Sequence, residues 1–539
     1  MISSKHKQKL AIIAIISLVV FIWLNWFPPG DLGDELAPPA DTGLYRNEAA
    51  APAIDFLEEQ VGKGDWQTFT SFNQYADAMG YFTKEKLTAA YDEHWSSLVP
   101  FDYYQVGAHL QGKPDRYLVF VKSTDGAVFG WEAIEQSAGL RINPEDALRL
   151  LGYEPTQFKT EESTSGLVYN HAVHISEAAL RIEVKLDGAA VLSIKPIIAL
   201  PDDYLSWKNT QDQKGALTSA LSLLLWFGLA VAAIVYAAVY RAEMSFSRGI
   251  WLSLAFLIPY ITYNVNMYPA MKLEDGAVFL VLFSQFLIML LAITVYLCLV
   301  AGDGLWRKMG FELWTSHRAP GFKNDVMRAV GLGYVYCVII MGLQSTIFSI
   351  GAELFDVWFG SDPMMSSNNL LWPALYPLLA WSAAISEEAV YRIFAIAFFT
   401  VLIRPLWRWV ARWTSRPIFL HPLFYLVPAI TIANVLWALG HTGYSIYPVY
   451  TRLVEVAILG FVFSFIFLRY GLIAAIFTHA TMDLVIMGLD IMSSGSRYVG
   501  IGLFYMFMPL LVGLLIRWYS NRWARRRPPA ITADGPVSP

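Results

Sequence analysis

Long apolar runs constrain this 539-residue chain more than any other feature. A bilayer core about 30 Å thick takes roughly 20 apolar residues of helix to cross. Runs of that order lie near residues 10–27, 214–240, 250–267, 276–300, 329–350, 371–403, 422–441, 452–468, 471–489 and 499–517. They predict a polytopic all-α membrane bundle of about ten transmembrane helices. Composition agrees, with 56% hydrophobic and 15% charged residues, against about a quarter charged in soluble domains.

The first run follows Lys5, Lys7 and Lys9. It is longer than the ~7–15 apolar residues of a signal peptide, and no small-x-small cleavage site follows promptly. Trp23, Trp26 and Phe27 suit an interfacial anchor. Residues 1–27 are therefore expected to be an uncleaved N-terminal transmembrane anchor.

Residues 28–213 differ in being polar and rich in acids. Residues 47–62 have the spacing of an amphipathic helix, and 143–153 predict a second one ending near Gly152. Residues 116–133 predict a hairpin around Asp125-Gly126, and 167–198 two or three strands with a turn at Asp187-Gly188. These helix-then-strand units suggest a weak duplication inside an α+β domain inserted after the first helix. Its His171 and His174 are i, i+3 on a strand, point to opposite faces and make poor metal ligands.

Loop charges orient the chain. With the N-terminus inside, the inner loops hold Arg241 and Arg248; Arg307, Lys308, Arg318 and Lys323; Arg404, Arg408, Arg412 and Arg416; and Arg469. The outer loops KLEDG, GAELFDVWFGSD and SSGSRY are poor in basic residues. The positive-inside rule then predicts both termini cytoplasmic and residues 28–213 extracytoplasmic. Residues 214–328 are expected to be further membrane helices, 329–517 the functional membrane domain and 518–539 a basic cytoplasmic tail. The net charge of −5, with no basic run interleaved with aromatics, gives no sign of nucleic-acid binding. The two cysteines, Cys298 and Cys337, lie in apolar runs. A cysteine-rich zinc site is excluded by their number, and the polar region has no disulfide.

Within the apolar runs, Glu387, Glu388, Arg392 and Asp483 do not belong in lipid. Each charge at a bilayer centre costs roughly 2.5–3.5 kcal/mol on insertion scales. Such residues are held by compensating contacts or face a polar cavity. Glu388 and Arg392 are i, i+4 and can pair on one helix face, which leaves Glu387 free to point elsewhere. His441 and His479 are the histidines at or within late membrane runs, and His479 is i, i+4 with Asp483. Asn434 reads as a packing hydrogen bond, and Glu455 and Asp490 as interfacial groups.

Three pieces stand in order: EEAVYR at 387–392, WALGH at 437–441 and HATMD at 479–483. Together they resemble the motifs EExxxR, FxxxH and HxxxN/D of the CAAX protease and bacteriocin-processing (CPBP, or Abi) family of intramembrane proteases. The resemblance covers roughly residues 330–517. It implies that Glu387 is the general base for a water held by His441 and His479, directly or through a metal. Glu388 and Arg392 would fix helix geometry, and Asp483 would occupy the position where Asn helps stabilise the oxyanion. Trp437 departs mildly from Phe. Asp483 departs more, because an ionised Asp would repel an oxyanion. It must be protonated, bind a metal, or orient His479.

Zn²⁺ on Glu387, His441 and His479 is the cofactor this resemblance allows. The expected activity is endopeptidase cleavage of a peptide or protein substrate in or at the lipid bilayer, in a bacterial plasma membrane. Nothing in the sequence names a partner for the extracytoplasmic domain. The same buried charges also suit a proton-coupled transporter or a non-catalytic scaffold or immunity protein. One geometric conflict stands: at 1.5 Å per residue, a helix starting at 371 puts Glu387 about 24 Å down, while His441 falls at the far end of its helix.

Overall fold

The computed structural model describes residues 4–26, 43–112, 115–134, 139–164, 166–268, 277–316, 319 and 321–525. The KLEDG loop, Arg318 and the tail beyond Arg525 lie outside them. A membrane-type helix, α1 (Ser4–Trp26), comes first.

A sheet domain follows. Its helices are α2 (Ala50–Gln60), α3 (Ala76–Lys84), α4 (Thr88–His94) and α5 (Pro144–Leu150). Its strands are β1 (Trp66–Gln74), β2 (Asp102–Leu110), β3 (Arg116–Lys122), β4 (Val128–Ala133), β5 (Phe158–Ser163), β6 (Gly166–Ile175), β7 (Ala178–Asp187) and β8 (Ala190–Ala199). They form one antiparallel sheet in the order β1-β2-β3-β4-β8-β7-β6-β5. Two four-stranded meanders, each led by a helix, thus join along β4 and β8. The helix-then-strand repeat read from the sequence matches this topology.

Local chemistry accounts for the pieces. Asn143 caps α5 by accepting the Glu145 N–H at 2.9 Å, with Pro144 in the first turn. Gly188 takes the left-handed φ of +59° that the β7–β8 turn requires. Along β2 and β7, buried residues alternate with half-buried or exposed ones, as a sheet with one face on a core demands. Ala53, Phe56 and Leu57 of α2 and Leu148 of α5 share one core with Tyr104, Val106 and Trp131. Tyr81 and Phe82 of α3 and Tyr91 of α4 belong to a second core with Phe120, Phe129 and Ile198.

The remaining helices are α6 (Asp202–Val239), α7 (Ile250–Asn266), α8 (Ala277–Lys308), α9 (Phe322–Phe355), α10 (Leu379–Glu387), α11 (Ile396–Thr414), α12 (Leu423–Leu439), α13 (Val449–Tyr470), α14 (Leu472–Ser493) and α15 (Val499–Arg525). Among the described residues, eight helices are long and apolar enough to cross a membrane. The expected spans at 250–267 and 422–441 are instead helices of 17 residues, each with an internal proline. They fall short of the roughly 20 residues of a full span. Ten full crossings is therefore more than the structure contains by length.

The expected helix at 371–403 is a composite. A 3-10 stretch, Pro373–Leu378, leads into α10, a π-helical segment Glu388–Ala395 follows, and α11 continues to Thr414. Glu387 thus lies about 12 Å of helix beyond the start of α10, with the 3-10 stretch from Pro373 preceding it. His441 is not in a continued helix: α12 stops at Leu439 and His441 lies in the turn beyond it.

Candidate active site

The π-helical segment holds Glu388 to Arg392 of the EEAVYR motif in the interior. Single-turn π distortions occur frequently at functional sites, and they disturb the backbone hydrogen-bond ladder. Here α8 supports the segment. Trp306 Nε1 donates to the Ile393 carbonyl at 2.9 Å. Gly302, one turn earlier, packs so closely that a Cβ there would meet the same oxygen at 2.6 Å. Neither residue was signalled by the sequence, because neither carries a charge.

Four elements bring the polar residues together. Glu387 ends α10, Glu388 and Arg392 lie in the π segment, His441 follows α12, and His479 and Asp483 lie on α14. Gly471, with φ +90°, makes the sharp junction from α13 that starts α14.

The two histidines are oriented in the same way. His441 Nδ1 lies 2.9 Å from the Trp437 carbonyl. A carbonyl only accepts, so Nδ1 carries the proton. His479 Nδ1 lies 2.9 Å from Glu388 Oε1 and donates to that carboxylate. Both Nε2 atoms therefore face inward. They lie 3.9 Å (His441) and 3.7 Å (His479) from the Glu387 carboxylate oxygens. Those separations exceed a direct hydrogen bond. The Trp437 indole N–H donates to Glu387 and fixes its carboxylate.

The expected Glu388–Arg392 pair is present, with Nε 3.5 Å from Oε2, and both side chains are fully buried. The closest partner of Glu388 is nevertheless His479, at 2.9 Å. Arg392 makes no hydrogen bond through any of its guanidinium nitrogens. It lies 3.9 Å over the Trp437 ring, with the Phe463 ring 5.4 Å away. Cation–π contact of this kind offsets part of the cost of a buried charge. Phe463 also packs against the His479 ring at 4.7 Å.

Asp483 Oδ2 lies 3.6 Å from His479 Nε2. Since Glu388 holds Nδ1, Asp483 does not set the orientation of His479 through that nitrogen. Asn434 accepts from Ser464 at 3.0 Å and packs α12 on α13, as its sequence suggested. Glu455 is not interfacial: it is fully buried, held by Arg452 at 2.6 Å and Gln344 at 2.9 Å. Asp490 is exposed, in keeping with an interfacial position.

Glu387, His441 and His479 present oxygen and nitrogen donors of the kind zinc accepts, with Nδ1 atoms committed outward as in ligating histidines. Among the described residues, however, no three His, Cys, Asp or Glu side chains come together as a metal-holding group. The donors do not form a ready cage, and no step below is routed through a metal.

Residues 369–485 match the family model described as type II CAAX prenyl endopeptidase Rce1-like. The matched segment contains every residue of the cluster above. The chain is also 22% identical over 511 residues to the sporulation-killing factor biosynthesis protein SkfC of Bacillus subtilis (strain 168), a match covering 88% of this chain and 93% of that protein. No solved structure matches the chain. Over residues 369–485 the chain is thus similar to the CAAX prenyl endopeptidase (CPBP) family.

Proposed function

We propose that the chain is an intramembrane endopeptidase that hydrolyses peptide bonds with a water activated by Glu387. One observation carries the reading: both histidines commit Nδ1 elsewhere and turn Nε2 toward a single carboxylate. Gaps of 3.7–3.9 Å between these groups suit a bridging water. Glu387 takes a proton from that water, and its oxygen attacks the scissile carbonyl carbon. His441 or His479, in protonated form, and the protonated Asp483 donate to the oxyanion. Glu387 returns the proton to the leaving amine as the C–N bond breaks. The products are one carboxylate and one amine for one water consumed.

A proton-coupled transporter draws no such support, since residues 369–485 match a peptidase family. The substrate is a peptide or protein at the membrane. The name of SkfC refers to biosynthesis of a killing factor, which favours processing of a precursor over general degradation. The basic inner loops, Arg404 to Arg416 above all, support cytoplasmic termini and a sheet domain outside a bacterial plasma membrane.

Comparison of membrane-protein N-termini from cells carrying wild type or Glu387→Gln tests the reading. New N-termini that vanish with Glu387→Gln are expected, and their absence would remove the peptidase reading. A Zn²⁺-dependent form, with the metal at Glu387, His441 and His479, is the alternative to this water-only form. The two forms separate on dialysis against a chelator. The water-only form keeps its cleavage, whereas loss restored by Zn²⁺ alone establishes the metal.

A further inference from the structure

The turn that carries His441 is gripped by α6, the helix that leaves the sheet domain. Only Leu200 and Pro201 separate β8 from α6, whose 38 residues extend about 57 Å. That is nearly twice a bilayer core, so its polar first turns reach beyond the apolar part. Gly215, Ser219 and Ser222 form a face of small residues on α6 against which residues 440–443 pack. A Cβ on Gly215 would meet the Thr442 carbonyl at 2.7 Å, and Cβ atoms on Gly440 and Gly443 would each meet a serine hydroxyl of that face at 3.1 Å. Thr442, next to His441, is buried and places its hydroxyl 2.5 Å from that of Thr218.

Beyond the turn the grip continues. Gln211 accepts the Val449 N–H at 3.2 Å, and the Tyr447 hydroxyl donates to Asp212 at 2.5 Å. Lys208 bridges Asp212 and Asp77 of α3, both at 2.9 Å. Residues Ile446–Tyr447 pair as a short ladder with Trp358–Phe359. Trp358, Tyr447 and Val449 belong to the same apolar cluster as Tyr81, Phe82 and Trp95 of the sheet domain. The chain on the far side of the His441 turn is thus part of the sheet domain's own core.

We infer that α6 is the positioning element for His441, and that the sheet domain sets through it how His441 faces Glu387. Thr218, Gly215 and Thr442 are positioning residues: none touches Glu387, and each acts through the 440–443 turn. The inference rests on the peptidase reading for its effect on rate, but its structural half stands alone. A ligand that shifts the sheet domain would shift α6, and with it one of the two imidazoles that hold the water. Displacements of about 1 Å at a reacting group cost on the order of a hundredfold in rate.

The test uses the full chain in lipid nanodiscs, with two readouts. Backbone hydrogen exchange is followed by mass spectrometry at residues 440–448 and 472–493. Cleavage is followed on a substrate whose new N-terminus depends on Glu387. Gly215→Ala and Thr442→Val are expected to speed exchange at 440–448 and leave 472–493 as in wild type. They are expected to lower kcat about ten- to a hundredfold with KM unchanged. Thr442→Ser, which keeps the hydroxyl, restores both. Thr210→Val, on the exposed face of α6, changes neither. Wild-type exchange at 440–448 in both variants would overturn the inference, as would faster exchange with unchanged kcat. If Glu387→Gln itself cleaves like wild type, the peptidase reading is what fails, and the exchange readout alone decides the positioning role.

Discussion

Two ion pairs with the same i, i+4 spacing sit in the two halves of this molecule. Glu145 and Arg149 lie on α5 of the sheet domain, 3.3 Å apart, with side chains 57% and 50% exposed. Glu388 and Arg392 lie in the membrane bundle, 3.5 Å apart and both 0% exposed. Sequence spacing cannot tell them apart, and surroundings decide everything. The exposed pair is solvated and screened, so its net worth is under about 1 kcal/mol. The buried pair has given up its water. It is compensated by His479 on one side and by the Trp437 and Phe463 rings on the other. Such a pair is weak evidence for stability in itself, since apolar replacement of both partners is often neutral. Its retention in an apolar segment points instead to what it holds, namely the His479 ring and the neighbouring Glu387.

Breaking the contrast at the site itself should have the largest effect. Glu387→Gln and His441→Ala are expected to lower cleavage about 10²–10⁴-fold, read as the loss of a Glu387-dependent N-terminus. Next comes Arg392→Met, which leaves the buried Glu388 charge with only its His479 hydrogen bond. Unfolding titrations of purified protein should register a loss of about 3–5 kcal/mol. The double variant Glu388→Gln with Arg392→Met should recover most of that stability but not the activity, because His479 loses its carboxylate partner.

A smaller effect tests the seam between the halves. Asn369 is buried and bonds the Phe72 N–H and carbonyl of β1 and the Pro363 carbonyl, each at 2.8 Å. Asn369→Ala leaves those groups unpaired and should cost about 1–3 kcal/mol. Smallest of all is Arg149→Ala, expected within about 0.5 kcal/mol of wild type and smaller still in high salt. A large effect there would erase the contrast between the two pairs.

The parts legible in the sequence share a physical reason. Glu387, His441 and His479 stand out because a charge or imidazole in an apolar run must have a purpose. The hairpin at Asp125-Gly126 and the turn at Asp187-Gly188 were marked by their turn chemistry. What stayed hidden depends on contacts between elements. The spacing offered Arg392 as the partner of Glu388, but only the packing of α14 against the π segment supplies His479. Arg452 is on the same helix as Glu455, but the other partner of Glu455, Gln344, lies on α9, so the burial of Glu455 was hidden. Strands β1, β2 and β5 escaped notice; β1 and β5 do not alternate cleanly, β5 being exposed after its first residue. The π segment has no compositional mark at all, and its support by Gly302 and Trp306 is purely tertiary.

The central claim divides one motif into two jobs: Glu387 for chemistry, and Glu388 with Arg392 for architecture. A single preparation of Glu387→Gln tests it, with cleavage of a Glu387-dependent substrate and thermal unfolding measured side by side. The account predicts cleavage reduced by at least about a hundredfold with a wild-type unfolding midpoint. Retained cleavage, or a collapse of the midpoint together with activity, would contradict it.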